Sequence, residues 1–280
     1  MEPVRPEFVP DPALSREEMD AVQRDIAAAA TFTDDFDFDV AAIHHDDVRQ
    51  QTLGTADEAG DQQVLDAGAI EDGRPLVAGV DQAFVDDVAV SAIVLTRGDE
   101  VVERVYAAVE TEIPYVPGLL SFREGGAILA AFEHLNGTPD LALVDGSGRI
   151  HFREAGLATH VGVVLDVPTV GVAKSLLCGT PRESLDRRLP VGTRIEVEAD
   201  DSVETTDPGT LIGHAVQTRQ YESGNRSINP LYVSPGHRIS AETAADIVLA
   251  CRAGYKLPEP TRLADSYADE VKAEVRTQYD

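Results

Sequence analysis

Leu141-Ala142-Leu143-Val144-Asp145-Gly146, entered through Pro139-Asp140, decides the fold. Four consecutive apolar residues between turn formers read as a short strand buried on both faces, and such strands belong to sheets covered by helices. The carboxylate of Asp145 then stands at the strand's C-terminal end. Open α/β sheets place their ligands there, and Gly146 lets the chain turn away sharply. A second run of the same form, Leu76-Val77-Ala78-Gly79-Val80-Asp81, also ends in an aspartate.

Working outward from these two runs gives the order of elements. Val88 to Leu95 and Val101 to Val109 read as strands separated by the hairpin residues Thr96-Arg97-Gly98-Asp99, so that three strands form an antiparallel meander. Ser121 to Leu135 reads as a helix with Phe122, Ile128, Leu129, Phe132 and Leu135 on one stripe. A helix from about Gly156 to Leu165 and a strand from Pro168 to Ala173 follow, the latter leading into Lys174. The order βββαβαβ is that of the ribonuclease H-like fold. The expected class is therefore α/β, ribonuclease H-like, with a mixed five-stranded central sheet flanked by helices. In that topology the first and fourth strands are parallel neighbours, which brings Asp81 and Asp145 together.

Two carboxylates at adjacent strand ends repel unless a cation sits between them. Hard oxygen ligands suit Mg²⁺, with Mn²⁺ able to substitute, and the chemistry that uses such a site is phosphodiester hydrolysis. A lone strand-end aspartate also serves as a turn residue or helix cap, and this reading stands beside the metal reading on pattern alone. His44-His45-Asp46-Asp47 is a weaker metal candidate, because adjacent side chains point apart; it reads as a solvated acidic turn.

Composition sets the habitat. The 280 residues carry 50 acids against 23 Lys and Arg, a formal charge of −27, yet 43% of them are apolar, as in an ordinary folded chain. Only Lys174, Lys256 and Lys272 are lysines. Acid spread along the whole chain with Lys nearly absent fits a halophilic protein, working where concentrated salt screens self-repulsion. Cys178 and Cys251 lie far apart and read as reduced, buried thiols. No apolar stretch approaches a membrane span and no basic-then-apolar leader opens the chain, so a soluble cytoplasmic protein is expected; a monomer is expected separately.

The N-terminal region holds one helix signal. Ser15-Arg16-Glu17-Glu18 is a capping box, and Met19, Val22, Ile26 and Ala29-Ala30 continue at helical spacing. Thr33 to Gly73 is an acidic, aperiodic connection. Residues 1–75 are accordingly set apart as a helix plus acidic linker, 76–265 as the catalytic domain and 266–280 as a polar tail.

Longer motifs are more specific. Ile113-Pro114-Tyr115-Val116-Pro117-Gly118-Leu119-Leu120-Ser121-Phe122-Arg123-Glu124 resembles the wedge segment of endonuclease V, a family that nicks nucleic acid near deaminated adenine. Val77 to Asp81 resembles it too, as do Val144-Asp145-Gly146, Gly156 to His160, Gly171 to Ser175, and Val233 to Ser240. Leu257-Pro258-Glu259-Pro260-Thr261-Arg262 is similar to the family's C-terminal end. The likeness covers residues 76–265 strongly and about 14–32 weakly.

The resemblance implies site roles. Asp81, Asp145 and Glu124 correspond to metal-binding acids, Lys174 to a group that stabilises charge on the phosphate, and His151 and His237 to polar groups near the centre. Ser121-x-x-Glu124 also reads as a capping box. Pro114, Tyr115, Val116 and Pro117 correspond to a stiff wedge that enters the base stack. Gly118, Leu120, Gly146 and Gly156 correspond to a backbone-built pocket for hypoxanthine, and Arg149, Arg153, Arg219 and Arg238 are expected on phosphates. The implied activity is a Mg²⁺-dependent DNA repair endonuclease. It cuts the second phosphodiester bond 3′ to deoxyinosine and leaves 3′-hydroxyl and 5′-phosphate ends. An inosine-specific endoribonuclease, a structure-specific nuclease and a lesion-binding protein without turnover are the alternatives. Phe152 departs from the family's usual residue after the histidine, and Ala199 to Thr206 reads as an acidic, solvated insertion.

Overall fold

The computed structural model describes residues 1–43, 73–111, 113, 116, 118–223 and 226–279. The His44–Asp47 turn, most of the Thr33–Gly73 connection, and Pro114, Tyr115 and Pro117 of the wedge lie outside the described residues. In chain order the helices are α1 (Arg16–Ala29), α2 (Leu120–Glu133), α3 (Leu157–Leu165), α4 (Ala241–Ala250) and α5 (Glu259–Tyr279). The strands are β1 (Leu76–Val85), β2 (Val88–Arg97), β3 (Glu100–Glu110), β4 (Leu141–Asp145), β5 (Thr169–Ala173), β6 (Thr180–Pro181), β7 (Arg194–Glu198), β8 (Leu211–Val216) and β9 (Leu231–His237).

The expected meander and parallel core are present. β2 pairs antiparallel with β1 and β3, while β1, β4 and β5 run parallel side by side. Continuous apolar runs follow from burial on both faces. From β1, Ala78 and Val80 pack under Ile128, Phe132, Val161 and Val164 of α2 and α3. Val77, the residue before Ala78, faces the opposite layer with Leu141, Leu143, Ile247 and Val248. Pleating sends successive residues to opposite sides, so a strand sandwiched between helices must be apolar throughout.

The sheet has nine strands rather than the expected five, in the order β3-β2-β1-β4-β5-β9-β8-β7-β6. The extension was hidden by composition. β9 contains Pro235 and Gly236, which argue against a central strand. Its register against β5 shifts between Thr169, opposite His237, and Val170, opposite Pro235, so one residue bulges out of the ladder.

Both chain ends differ in the use they make of helix. α1 starts where the capping box predicts: the Ser15 hydroxyl accepts from the Glu18 N–H and the Glu18 carboxylate accepts from the Ser15 N–H. The stretch beyond Arg262, read as a short polar helix or a loose tail, is helical as the continuation of α5, and its Val271 and Val275 are buried against Val85, Val88 and Val90. Those two valines lie one turn apart, enough to fix an otherwise charged helix to the sheet. Ala199 to Thr206 is likewise no solvated decoration, since Ala199 and Val203 are buried and the Glu204 N–H donates to the Phe152 carbonyl at 2.7 Å.

Candidate functional site

The parallel register sets the first pair of site residues. Val80 lies opposite Val144, so Asp81 and Asp145 follow side by side at the same end of the sheet. Lys174, one residue beyond β5, reaches back to this point with its Nζ 2.7 Å from Asp145 Oδ2.

A third carboxylate comes from the far end of the chain. Gly79 faces the first turn of α5 so closely that a Cβ there would lie 1.9 Å from the Pro260 carbonyl oxygen. This contact seats α5 directly on β1, and Asp265, less than two turns into the helix, arrives beside Asp81 and Asp145. One oxygen from each of the three aspartates lies within 4.8 Å of the others, and Asp265 is 3.7 Å from Lys174 Nζ. The reading of the sequence missed Asp265. Its one local signal is the buried stripe Thr261, Ala264, Ala268, Val271 and Val275, which turns the neighbouring Asp265 towards the sheet's end.

Glu124 stands close by but outside that triplet. The expected capping box is not formed: the N-cap of α2 is Leu119, with no side-chain cap, and Glu124 is 8% exposed. Burial, reinforced by the charge of Asp145 and opposed by Arg123, pushes its carboxyl up to about 7. Burial and then the proximity of Asp145 push Asp81 up to about 8. Burial works against the charge of Lys174, but the hydrogen bond and charge of Asp145 outweigh it and its pKa is raised. Acids held this far from their ordinary range need a cation to ionise together, and an all-oxygen donor set fits a hard divalent ion such as Mg²⁺ or Mn²⁺.

One turn N-terminal to Glu124 on α2, the walls become neutral. Gly118, Leu120, Ser121, Ser147, His151, Gly156, Leu157 and Leu177 enclose a cavity of about 80 Å³. Three of the four expected pocket residues line it. The fourth, Gly146, lies behind the wall, where a Cβ would meet the Leu157 side chain at 3.1 Å. Gly156 permits a closer approach, since a Cβ there would lie 2.3 Å from the Ser147 carbonyl oxygen. His151 faces this cavity. Its Nε2 donates to the Gly118 carbonyl at 3.1 Å, its Nδ1 accepts from the Arg153 N–H, and burial holds its pKa down to about 4. The same carbonyl accepts from Gln23 Nε2 at 2.7 Å, so α1 braces the pocket. The Ser121 Oγ is buried with no partner among the described residues. Of the wedge, Val116 is described, partly buried against Met19, Leu119 and Phe122.

Other expected site residues lie elsewhere. His237 is not at the carboxylate centre. β9 runs antiparallel to β5, so its last residue lands opposite Thr169, at the end of β5 remote from Lys174. There His237 Nδ1 accepts from the Thr31 N–H and its Nε2 bonds Asp166, both at 3.1 Å. Arg149 is paired with Glu154 at 2.6 Å, Arg153 with Asp20 at 3.0 Å, and Arg238 with Asp35 at 3.2 Å. These three arginines bind the fold together, whereas Arg219 is exposed.

The chain matches the family model described as Endonuclease V over residues 60–266. It is 66% identical over 277 residues to an endonuclease V of Haloarcula marismortui, covering 98% of each chain. Its structure resembles that of the endonuclease V from Streptomyces avermitilis, with TM-score 0.70, 29% identity and 97% of each chain covered. It shares its fold, at TM-score 0.65 and 21% identity, with an endonuclease V from Ciona intestinalis, solved in complex with DNA containing an inosine followed by a ribo-adenosine. That match covers 94% of this chain and 100% of the other. Among the described residues, no helix is long and apolar enough to cross a membrane.

Proposed function

This chain belongs to the endonuclease V family, and from that premise we propose that it cuts DNA at the second phosphodiester bond 3′ to deoxyinosine, leaving 3′-hydroxyl and 5′-phosphate ends. The observation that carries the proposal is the joining of two unlike sites by one helix. Leu120 and Ser121 of α2 line the neutral cavity, and Glu124, one turn on, is within electrostatic reach of Asp145. A base captured in the first would leave its strand lying across the second.

The division of labour follows from the chemistry of each group. A divalent cation, Mg²⁺ in this reading, would be held by Asp81, Asp145 and Asp265 and would supply the charge that activates water and stabilises the leaving oxygen. Lys174 presents its ammonium to the phosphate's non-bridging oxygens, and its ion pair with Asp145 fixes its position. Glu124, with its carboxyl near neutrality, takes a proton from the attacking water. In the cavity, backbone groups of Gly118 and Gly156 and the spare Ser121 Oγ read the flipped base's edge, while neutral His151 holds the Gly118 carbonyl in place. The Tyr115 wedge fills the gap left in the stack. The protein acts as a cytoplasmic monomer, and its acid-rich surface adapts it to concentrated salt.

Matched labelled strands, one DNA and one RNA, each with a single inosine, test this in high KCl with Mg²⁺ or with EDTA. The expected result is metal-dependent nicking of the DNA next to inosine, lost in Asp145→Ala. Preferential cleavage of the RNA strand would make the protein an inosine endoribonuclease. Tight binding of inosine without cleavage under any divalent metal would overturn the catalytic assignment of the acids.

A further inference from the structure

A second groove opens on the edge of the sheet that holds the carboxylates. β8 ends at Val216, opposite Leu231, and the next residue of β9, Tyr232, lies opposite Ala173, which precedes Lys174. Gln217 therefore extends the same edge, three strands along from Asp145. At the usual strand spacing that is roughly 15 Å. Here residues 185–188 and 226–230 enclose a groove of about 420 Å³ with Gln217 at its base.

Its lining runs against the charge of the rest of the molecule. In a chain with 50 acids, Arg188 and Arg226 are exposed and, among the described residues, pair with no acid. Arg187 stands beside them, paired with Glu183 at 2.5 Å, and Asp186 is the acid of the lining. Elsewhere Arg149, Arg153, Arg182, Arg194, Arg238 and Arg262 each sit in an ion pair. The base of the groove carries an independent signal. Gln217 is 1% exposed, its Nε2 donates to the Arg219 and Ile228 carbonyls, and its Oε1 has no partner among the described residues. A buried acceptor is left for a donor that the protein does not supply.

We propose that this groove holds the sugar–phosphate backbone of the strand being cut, with Arg188 and Arg226 on phosphates. The proposal rests on the reading of this chain as a nuclease of inosine-containing strands. Roughly 15 Å along a stacked strand, at about 3.4 Å per nucleotide, places the contact about four nucleotides from the scissile bond. Arginine gives the planar, bidentate recognition of phosphate that such a track needs.

The test compares wild type, the double variant Arg188→Gln/Arg226→Gln, and Arg276→Gln, which removes an exposed charge from the last turn of α5. KM and kcat are measured over a range of KCl on a short inosine strand and on strands extended on the 5′ or the 3′ side. In wild type, extension on one side lowers KM. The double variant loses that gain, and the slope of log affinity against log salt falls by about 0.7 for each arginine. Its kcat on the short strand is unchanged, and Arg276→Gln behaves as wild type. A double variant that keeps the gain from extension, or an Arg276→Gln control that loses as much, overturns the groove. If wild type fails to cut the short strand, the substrate reading fails instead. Affinity for a long lesion-free strand then decides the groove separately, with equal binding by wild type and double variant overturning it.

Discussion

Helix α2 runs from the neutral cavity, at Leu120 and Ser121, to Glu124 beside the carboxylate cluster, but the two regions are built on opposite principles. The cluster is assembled from charge: three aspartates and a lysine delivered by β1, β4, α5 and the end of β5, with no single stretch of chain holding them. The cavity is assembled from the absence of charge, with glycines, serines, leucines and a neutral histidine around about 80 Å³. The comparison teaches that, in the proposed reading, catalysis tolerates separation in sequence, because long-range register can deliver carboxylates, whereas recognition demands backbone shape. Substitutions in the two regions should therefore fail differently.

The largest separation comes from Asp145→Asn. Cleavage should fall about 10³-fold or more, roughly 4 kcal/mol of barrier, while binding of an inosine strand is retained. Single-turnover cleavage beside a gel-shift assay reads both, and parallel loss of binding would erase the distinction. Removing the divalent cation with EDTA should mimic this variant, and adding the cation should raise the melting temperature of wild type more than that of Asp145→Asn.

Asp265→Asn should follow, with cleavage reduced about 100-fold, or near 3 kcal/mol, and a higher divalent-ion concentration needed for half-maximal rate. An unchanged metal requirement would remove Asp265 from the centre and leave it as a surface partner of Lys174. On the cavity side, Gly156→Ala should cost about tenfold in affinity for inosine over adenine while the rate at saturation is kept. The added methyl meets the Ser147 carbonyl, so the pocket wall must move. A loss of kcat without loss of preference would place Gly156 in the catalytic half instead.

The smallest expected effect is on stability, and its sign differs between the regions. Burial holds His151 and His160 down from 6.5 to about 4, so the folded state binds fewer protons than the unfolded chain between those values. Their contribution is complete above 6.5 and is lost as pH falls towards about 4. Between pH 7.5 and 5.5 the loss should be about 1 kcal/mol for each imidazole, measurable as a drop in the denaturant midpoint. Asp81 and Glu124 act in the opposite direction without a cation. Their folded pKa values are raised, so the stability they give at low pH is lost as pH rises through about 7 to 8. Saturating divalent cation should flatten that second dependence and leave the histidine limb intact.

Residue pattern carried much of this architecture. The apolar runs ending in Asp81 and Asp145, the Ser15 capping box and the α2 stripe all state local rules that the fold obeys, and the order of elements, matched to the ribonuclease H-like topology, places β1 beside β4. Resemblance along Ile113–Glu124 pointed to the cavity before its walls were visible. Local pattern fell short where tertiary contact overrides it. β9 is a strand despite Pro235 and Gly236, because a register shift absorbs the extra residue beside β5. Arg153 and Arg238 look like free cations in sequence, yet their acids, Asp20 and Asp35, lie far along the chain and close on them only after folding, while Arg149 pairs with Glu154 within its own loop.

The sequence by itself determined the two strand-end aspartates, the parallel pairing that joins them and the acid-rich surface. The aspartates depend on residues near one another, the pairing on the order of elements, and the acid-rich surface on composition summed over the chain. Only the tertiary structure decided that Asp265 completes the cluster, that His237 stands at the opposite end of the sheet, and that Arg188 and Arg226 share one groove. Those placements rest on a helix seated against Gly79 and on the direction of a distant strand, and no local periodicity encodes either.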